Sequence, residues 1–189
     1  MRRPSLRKVV TRTGAVARRC LLMLLLACLP PLQSSGTAGE PRFNETELKA
    51  AYLYNFAYFV TWPTTHKEFL FCSYANSPVT GVLAKLIEGE RVNDLPMQMV
   101  IDPIPEQLHE CQVIYIPAQQ ERILAATLEF VRPFPVLTVS DIADFEHRGG
   151  MIRLANDGLR VQPVIQLKNV TRIGLTISSK LLRSSRLIE

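Results

Sequence analysis

The chain has 189 residues and a formal net charge of +5, from 22 lysines and arginines against 17 aspartates and glutamates. Seven of those bases lie in the first 19 positions, so removing them leaves 15 bases against 17 acids, a net charge of −2 for residues 39–189. A nucleic-acid-binding domain needs a basic footprint of its own. The charge distribution therefore excludes nucleic acid as the expected partner.

The N-terminal segment has the order of features of a secretory signal peptide. Basic residues come first, the apolar run Cys20 to Leu29 follows, and small residues lead to Ala38. We predict that residues 1–38 are a signal peptide and that residues 39–44 are a flexible lead-in. Because ten apolar residues are fewer than the roughly 20 that a transmembrane helix needs, we expect export without a membrane-spanning anchor.

Two other interpretations of this segment stay open. A mitochondrial transit peptide is also rich in arginine, but it should form an amphipathic helix, and Leu21 to Leu26 places Leu or Met on every face. Alternatively, Cys28 in Leu25-Leu26-Ala27-Cys28 could be acylated after cleavage, which would give a lipid-anchored protein; the short apolar stretch weighs against this.

The first predicted helix begins after Asn44. This residue is a candidate N-cap with Glu47 three positions on, as in a capping box, and the run Leu48 to Trp62 has apolar residues at helical spacing. Trp62-Pro63 should end the helix, because proline disfavours the α conformation in the residue before it.

Strands and helices alternate through the middle of the chain. The predicted strands are Phe69 to Tyr74, Met97 to Ile101, Cys111 to Ile116 and Pro135 to Val139. The predicted helices are Pro78 to Ile87, Gln119 to Val131 and a short one that follows Ser140 or Asp141 and ends at Gly149-Gly150. Such alternation is typical of a mainly parallel sheet covered by helices.

The last third of the chain changes pattern. Met151 to Leu154 and Leu159 to Ile165 flank Asn156-Asp157-Gly158, a strong hairpin signal. Asn169 to Leu187 is predicted to be a helix interrupted near Gly174. We therefore predict that residues 45–189 form a single α/β domain, with a mainly parallel sheet flanked by helices, a late antiparallel hairpin and a C-terminal helix.

Two cysteines remain after the leader, Cys72 and Cys111. In an oxidising compartment an even number of cysteines indicates disulfide pairing. Right-handed crossovers would place the first and third predicted strands side by side and bring these two residues together. We predict a disulfide between them; two separate buried thiols are the alternative.

Motifs for catalysis or cofactor binding are weak. The sequence has neither Gly-x-Ser-x-Gly nor Gly-x-Gly-x-x-Gly, and His66, His109 and His147 fall in separate segments, which favours surface histidines. A hydrolase built on Ser140 and Asp141 would lack a positioned histidine. We therefore expect no catalytic residue and no cofactor.

One acidic cluster could hold a hard cation. Its members are Asp141, Asp144 and Glu146. Three carboxylates in one predicted helical turn are more commonly a solvated face, so we predict no metal site.

The first helix is unusually aromatic, and it is a candidate interaction surface. Its aromatic residues include Tyr52, Tyr54, Phe56, Phe59 and Trp62. Because they point around the whole cylinder, they cannot all face one core. They either meet a partner protein or lie beneath other segments of the same domain, and both interpretations stay open.

Six segments, in this order and spacing, resemble the YfiR family of bacterial periplasmic proteins. They are Lys49 to Pro63 (KAAYLYNFAYFVTWP), Cys72 to Pro78 (CSYANSP), Cys111 to Ile116 (CQVIYI), Val136 to Asp141 (VLTVSD), Arg148 to Leu154 (RGGMIRL) and Ile177 to Leu182 (ISSKLL). The resemblance implies a periplasmic repressor of a YfiN-like inner-membrane diguanylate cyclase, sequestered by a YfiB-like outer-membrane lipoprotein. Cyclic di-GMP signalling and biofilm regulation would follow, as would a homodimer and a disulfide at Cys72 and Cys111.

Partner contacts are expected in the late hairpin and the C-terminal helix. The candidate residues are Arg148, Gly149, Gly150, Ile165, Leu167, Ile173 and Leu175. The alternative function is a periplasmic small-molecule binding or sensor domain, with a pocket at the strand ends around Ala75, Pro117 and Ser140.

Overall fold

The computed structural model describes residues 44–158 and 160–188. The predicted signal peptide, residues 39–43 of the lead-in and the acylation candidate Cys28 lie outside these ranges. In the part of the chain that is described, no helix combines the length and the apolar character needed to cross a bilayer.

The described residues contain ten strands and five α-helices. The strands are β1 (Val60–Thr61), β2 (Phe69–Ser73), β3 (Arg91–Val92), β4 (Leu95–Ile101), β5 (Val113–Ile116), β6 (Leu137–Ser140), β7 (Ile152–Asn156), β8 (Val161–Gln166), β9 (Thr176–Ile177) and β10 (Arg186–Ile188). The α-helices are α1 (Glu45–Phe59), α2 (Pro78–Ile87), α3 (Leu124–Val131), α4 (Leu167–Arg172) and α5 (Ser179–Ser184), and short 3-10 helices occupy Pro105–Glu110, Ala118–Ile123 and Phe145–Arg148.

The predicted fold class is confirmed. Eight strands form one sheet in the order β10-β8-β7-β6-β5-β2-β4-β3. The pairings are parallel except for the hairpin β7/β8 and the short edge pair β3/β4. As predicted, the first and third of the strands expected from the sequence, β2 and β5, are neighbours.

Both faces of the sheet are covered, and the four residues of β5 are buried throughout. Tyr115 belongs to the cluster beneath α1 and α2, which includes Phe56 and Phe71, whereas Ile114 belongs to a second cluster with Leu124 of α3. Alternate side chains of one strand therefore enter two separate cores. This explains why the strand is a continuous apolar run.

Helix α1 begins as predicted and ends early. The Asn44 side chain accepts a hydrogen bond from the Glu47 amide, and the Glu47 carboxylate accepts one from Asn44, each at 3.0 Å. The prediction that the helix continues to Trp62 is wrong. The helix ends at Phe59, and the next two residues form β1, which pairs antiparallel with β9. Val60 and Thr61 of β1 are β-branched, and their strand partners lie far along the chain, so the local sequence does not indicate this pairing.

The prediction of one interrupted C-terminal helix over Asn169 to Leu187 is also wrong. Gly174, with φ of 78°, follows α4, and the chain then forms β9, α5 and β10. Strand β10 pairs parallel with β8 as the outermost strand of the sheet. Two other predicted helices are shorter than expected, since residues 118–123 and 145–148 form 3-10 turns.

Candidate functional site

The predicted disulfide is present between Cys72 and Cys111. Cys72 lies in β2, and Cys111 lies two residues before the neighbouring strand β5, so their Cα atoms are 6.0 Å apart. Both residues are buried in the core cluster on the α3 face. The bridge therefore joins β2 to the segment that leads into β5, and it closes the part of the chain that carries α2 and β4.

The residues predicted to contact a partner divide by exposure. Arg148 and Gly149 are exposed, Leu167 and Ile173 are half-buried, and Gly150, Ile165 and Leu175 are buried. Ile165 has no exposed surface because its side chain belongs to the core cluster beneath α1 and α2. In this conformation the buried three support the surface and cannot meet a partner directly.

The turn that carries Arg148 depends on two glycines for different reasons. Gly149 has φ of 97°, a left-handed conformation that favours glycine, and it ends the 3-10 helix. At Gly150 an added Cβ would lie 2.2 Å from a ring carbon of Phe145. The glycine pair thus turns the chain, as the sequence indicated, and lets it pass directly over a buried aromatic ring.

A buried ion pair lies beside this turn. The Glu146 carboxylate accepts hydrogen bonds from Arg153 at 2.6 and 2.7 Å, and only 1% of the Glu146 side chain is exposed. Burial by itself would raise the pKa of Glu146, but the hydrogen bonds from Arg153 and the backbone outweigh it and lower that pKa. The expectation that Glu146 lies on a solvated face is wrong, because β7 supplies a guanidinium partner.

A cleft opens next to the same turn. It has a volume of about 160 Å³ and is lined by Leu128, Val131, Arg132, Thr138, Arg148, Gly149, Met151 and Arg172. The Asn169 side chain donates a hydrogen bond to the Gly150 carbonyl at 2.9 Å, which ties α4 to the turn. Sequence analysis missed Arg132 and Arg172, since each follows or ends a helix and only the tertiary fold brings them to Arg148.

The aromatic helix packs mostly within its own domain. Phe56 is fully buried, and the Tyr52 hydroxyl donates to the Val161 carbonyl at 3.3 Å. Phe59 is half-buried, and the Lys180 ammonium lies 5.0 Å from its ring centroid. The helix therefore contacts α2 on one side and the late segments of the chain on another, which favours the packing interpretation.

The remaining aromatic residues of this region are anchored by polar contacts. The Trp62 indole donates to the Gln112 carbonyl at 3.1 Å, and its ring meets Phe69 edge-on. The hydroxyls of Tyr54 and Tyr58 lie 3.0 Å apart. Tyr58 is 46% exposed, so it is the aromatic residue of α1 that is most available to another molecule.

A second cleft lies at the carboxyl ends of the parallel strands. It has a volume of about 180 Å³, and its lining includes Lys49, Ser77, Tyr115, Pro117 and Asp141. The Lys49 ammonium is 2.6 Å from both the Asp141 and the Glu45 carboxylates. Burial opposes the charge of Lys49, but these carboxylates outweigh it and raise the pKa of the ammonium.

Burial raises the pKa of Tyr115 in the same cleft, and the Asp141 carboxylate adds to this effect. Sequence analysis did not single out Lys49. Its only local signal was a lysine four residues after Glu45 within an otherwise apolar helix.

The model of one protein family matches residues 46–186, described as YfiR/HmsC-like. This match spans most of the 189 residues and includes all but the first residue of α1, the disulfide, the glycine turn and α5. The chain belongs to the YfiR/HmsC-like family. No curated protein sequence matches it significantly.

Membership in the YfiR/HmsC-like family supports a periplasmic regulator of diguanylate cyclase signalling in general. The family is regulatory and periplasmic, and a disulfide fits an oxidising compartment.

The polar residues weighed for catalysis have structural partners in this YfiR/HmsC-like domain. The buried Ser140 hydroxyl donates to the Ile116 carbonyl at 2.6 Å and accepts from the Ile142 amide at 3.0 Å. His66, half-buried rather than fully solvated, lies 2.7 Å from the Thr64 hydroxyl. His109 and His147 are exposed in other segments, and His109 packs against Phe134.

The acidic cluster is dispersed by the fold. Asp141 forms an ion pair with Lys49, and Glu146 forms one with Arg153. Asp144 is exposed, and its backbone has a left-handed conformation. Among the described residues, no group of three or more His, Cys, Asp or Glu side chains is arranged to hold a metal ion.

Proposed function

We propose that this protein is a periplasmic negative regulator that binds the periplasmic part of an inner-membrane diguanylate cyclase and represses cyclic di-GMP synthesis. An outer-membrane lipoprotein relieves this repression by sequestering the regulator. The observation that carries the proposal is the family match over residues 46–186. It includes the elements that form both cores and the disulfide.

Repression by this route requires binding and no chemistry in the regulator. If the domain binds the inactive cyclase better than the active one, it shifts the population toward the inactive state. A 100-fold difference in affinity corresponds to about 2.7 kcal/mol. The buried, fully bonded Ser140 and the paired Asp141 are consistent with a binding role, since neither is available as a reacting group in this conformation.

The proposal is tested by deleting the gene and measuring cyclic di-GMP in the cells. We expect its concentration to rise and to return to normal when the complete chain is supplied from a plasmid. A chain that starts at residue 39 without a leader is the matched control, and it should fail to restore repression. An unchanged cyclic di-GMP level in the deletion strain would contradict the proposal.

The partners are tested by capture from envelope extract. The mature protein, residues 39–189, should retain an inner-membrane diguanylate cyclase, and an excess of the outer-membrane lipoprotein should displace it. We also propose that the mature protein is a homodimer, which light scattering coupled to size-exclusion chromatography would check. A monomer at micromolar concentration would contradict that part.

A small-molecule sensor is the second candidate function. The supporting observation is the cleft at the carboxyl ends of the strands, where ligands commonly bind in open α/β sheets. Pro117 lines this cleft, but the Lys49 ammonium in the cleft is already paired with the Asp141 and Glu45 carboxylates. A ligand would have to compete with that buried ion pair, so partner binding is the better-supported function.

A further inference from the structure

Two clefts adjoin at the end of α3 and share Arg132 and Arg172. The first is the cleft beside the Arg148 turn, and the second has a volume of about 510 Å³ with Glu129, Phe130, Pro133 and Ile173 in its lining. Because the two clefts share these lining residues, they are taken together here as the arginine groove. It runs from the Gly149 turn across the end of α3 to the end of α4.

The charge of the arginine groove differs from that of the domain. Residues 39–189 carry 15 bases against 17 acids, yet Arg132, Arg148 and Arg172 line this groove, and Glu129 is the acidic residue in its lining. Guanidinium groups bind carboxylates in a bidentate fashion, which suits them to acidic protein segments. The groove is therefore a local positive site on a slightly acidic domain.

The existing ion pairs of the groove are easily exchanged. Arg132 pairs with Glu129 and Arg148 pairs with Glu121, and in both pairs the side chains are between 39% and 66% exposed. Exposed ion pairs of this kind contribute little to stability. Among the described residues, Arg172 has no ion-pair partner, so an incoming carboxylate would meet one available guanidinium and two weakly held ones.

The groove also offers apolar contacts between its charges. Phe130 is 38% exposed although it is a large aromatic residue, and it packs against Phe134 with ring centroids 6.0 Å apart. Ile173 is half-buried in the same cleft. Aromatic residues and arginine are the types enriched where proteins bind proteins.

We propose that the arginine groove is the docking site for an acidic segment of the partner protein, with carboxylates on the arginines and an apolar side chain against Phe130 and Ile173. This assignment rests on the proposed function, because it names the surface through which the regulator holds its partner. It places Arg148, Gly149 and Ile173 in the contact and adds Arg132 and Arg172.

The test uses the mature protein and a fluorescein-labelled peptide, Gly-Asp-Glu-Leu-Glu-Phe-Asp, with an amidated C-terminus. The matched peptide replaces every Asp by Asn and every Glu by Gln. We expect the acidic peptide to bind at least tenfold more tightly by fluorescence anisotropy at low salt. The double variant Arg132→Gln/Arg172→Gln should lose at least tenfold in affinity for it.

The control variant Lys85→Gln/Arg183→Gln removes the same charge from exposed positions outside the groove. It should bind the acidic peptide within twofold of the wild type. Equal affinity for the two peptides, or an equal loss in both double variants, would overturn the proposal. Arginine-dependent binding to phosphatidylglycerol vesicles without peptide binding would also overturn it, in favour of a lipid headgroup.

Failure of this assignment is distinguishable from failure of the proposed function. If gene deletion raises cyclic di-GMP but the groove variant still represses fully, the regulator acts through another surface and the groove proposal is wrong. If the variant loses peptide affinity while gene deletion leaves cyclic di-GMP unchanged, the groove binds acidic segments and the cyclase is not its target.

Discussion

The Lys49 ammonium lies 2.6 Å from a carboxylate oxygen of Asp141, 92 residues later in the chain. The other oxygen of Asp141 accepts a hydrogen bond from the Ala118 amide at 2.8 Å. One carboxylate therefore fastens the first helix, the segment after β5 and the segment after β6 to one another at the same edge of the sheet.

Substitution of Lys49 by methionine should destabilise the mature protein by about 3 kcal/mol, because it leaves a largely buried carboxylate without its cation. The measurement is the free energy of unfolding in urea. Lys67→Met changes an exposed lysine and should have almost no effect. Similar losses for the two variants would show that the Asp141 pair adds nothing to stability.

Loss of the Cys72–Cys111 bridge should destabilise the mature protein by about 4 kcal/mol, since the bond closes a loop with a sequence separation of 39. We expect Cys72→Ala/Cys111→Ala to melt well below the oxidised wild type. Reduction should lower the melting temperature of the wild type and leave that of the variant unchanged. A wild type insensitive to reductant, with the same midpoint as the variant, would contradict the prediction.

The Glu146–Arg153 pair should make stability depend on pH in the acid range. Because the pKa of folded Glu146 lies below its ordinary value of 4.5, the contribution of this group is complete above pH 4.5 and declines as the pH falls below it. Glu146→Gln should cost about 3 kcal/mol at pH 7 and should flatten the decline between pH 4.5 and 3.

The matched control for this titration is Glu68→Gln, a change at an exposed position. It should follow the wild-type curve of unfolding free energy against pH. If Glu146→Gln also follows the wild-type slope below pH 4.5, the carboxylate of Glu146 is not held by Arg153 in solution.

Two glycine-to-alanine substitutions should change the stability of the protein in opposite directions. Gly150→Ala places a Cβ 2.2 Å from the Phe145 ring, so the turn must move, at a cost of about 2 kcal/mol. Gly81→Ala, within α2, meets no atom within 4 Å and should stabilise by about 0.5–1 kcal/mol through helix propensity. Equal effects on the thermal midpoint would rule out the close approach to Phe145.

The parts of the fold that sequence analysis predicted correctly have local or pairwise causes. The capping box at Asn44 involves residues three apart. In the β7/β8 hairpin, the turn residues stand directly between the two strands in the sequence. The position of Cys72 beside Cys111 followed from the handedness of crossovers, which applies to parallel sheets in general.

The elements that were mispredicted depend on partners far away in sequence. Val60 was predicted to be helical but pairs with Ile177 in a two-stranded sheet. Leu187 was also predicted to be helical but lies in β10, where it pairs with Ile165. Neither pairing has a local signal, and apolar residues near helical spacing in 169–187 favoured a helix. Tertiary contacts outweighed local propensity at both places.

Sequence analysis named some residues of the proposed arginine groove and missed others for the same reason. Arg148, Gly149 and Ile173 were named from the sequence and lie in the arginine groove, whereas Arg132 and Arg172 were not. Ile165 was named as a partner contact because it lies in the predicted late hairpin. Its side chain instead belongs to the core cluster beneath α1 and α2.

The last pairing of the sheet has a practical consequence for handling this protein. Strand β10 is short and begins with the exposed Arg186, features that discourage further strands from adding to a free edge. Cutting the chain before Arg186 would uncover Val164 to Gln166 of β8, with unsatisfied backbone groups next to apolar side chains. Truncated preparations should self-associate and precipitate. An affinity tag at the N-terminus of the mature protein would leave the β8/β10 pairing intact.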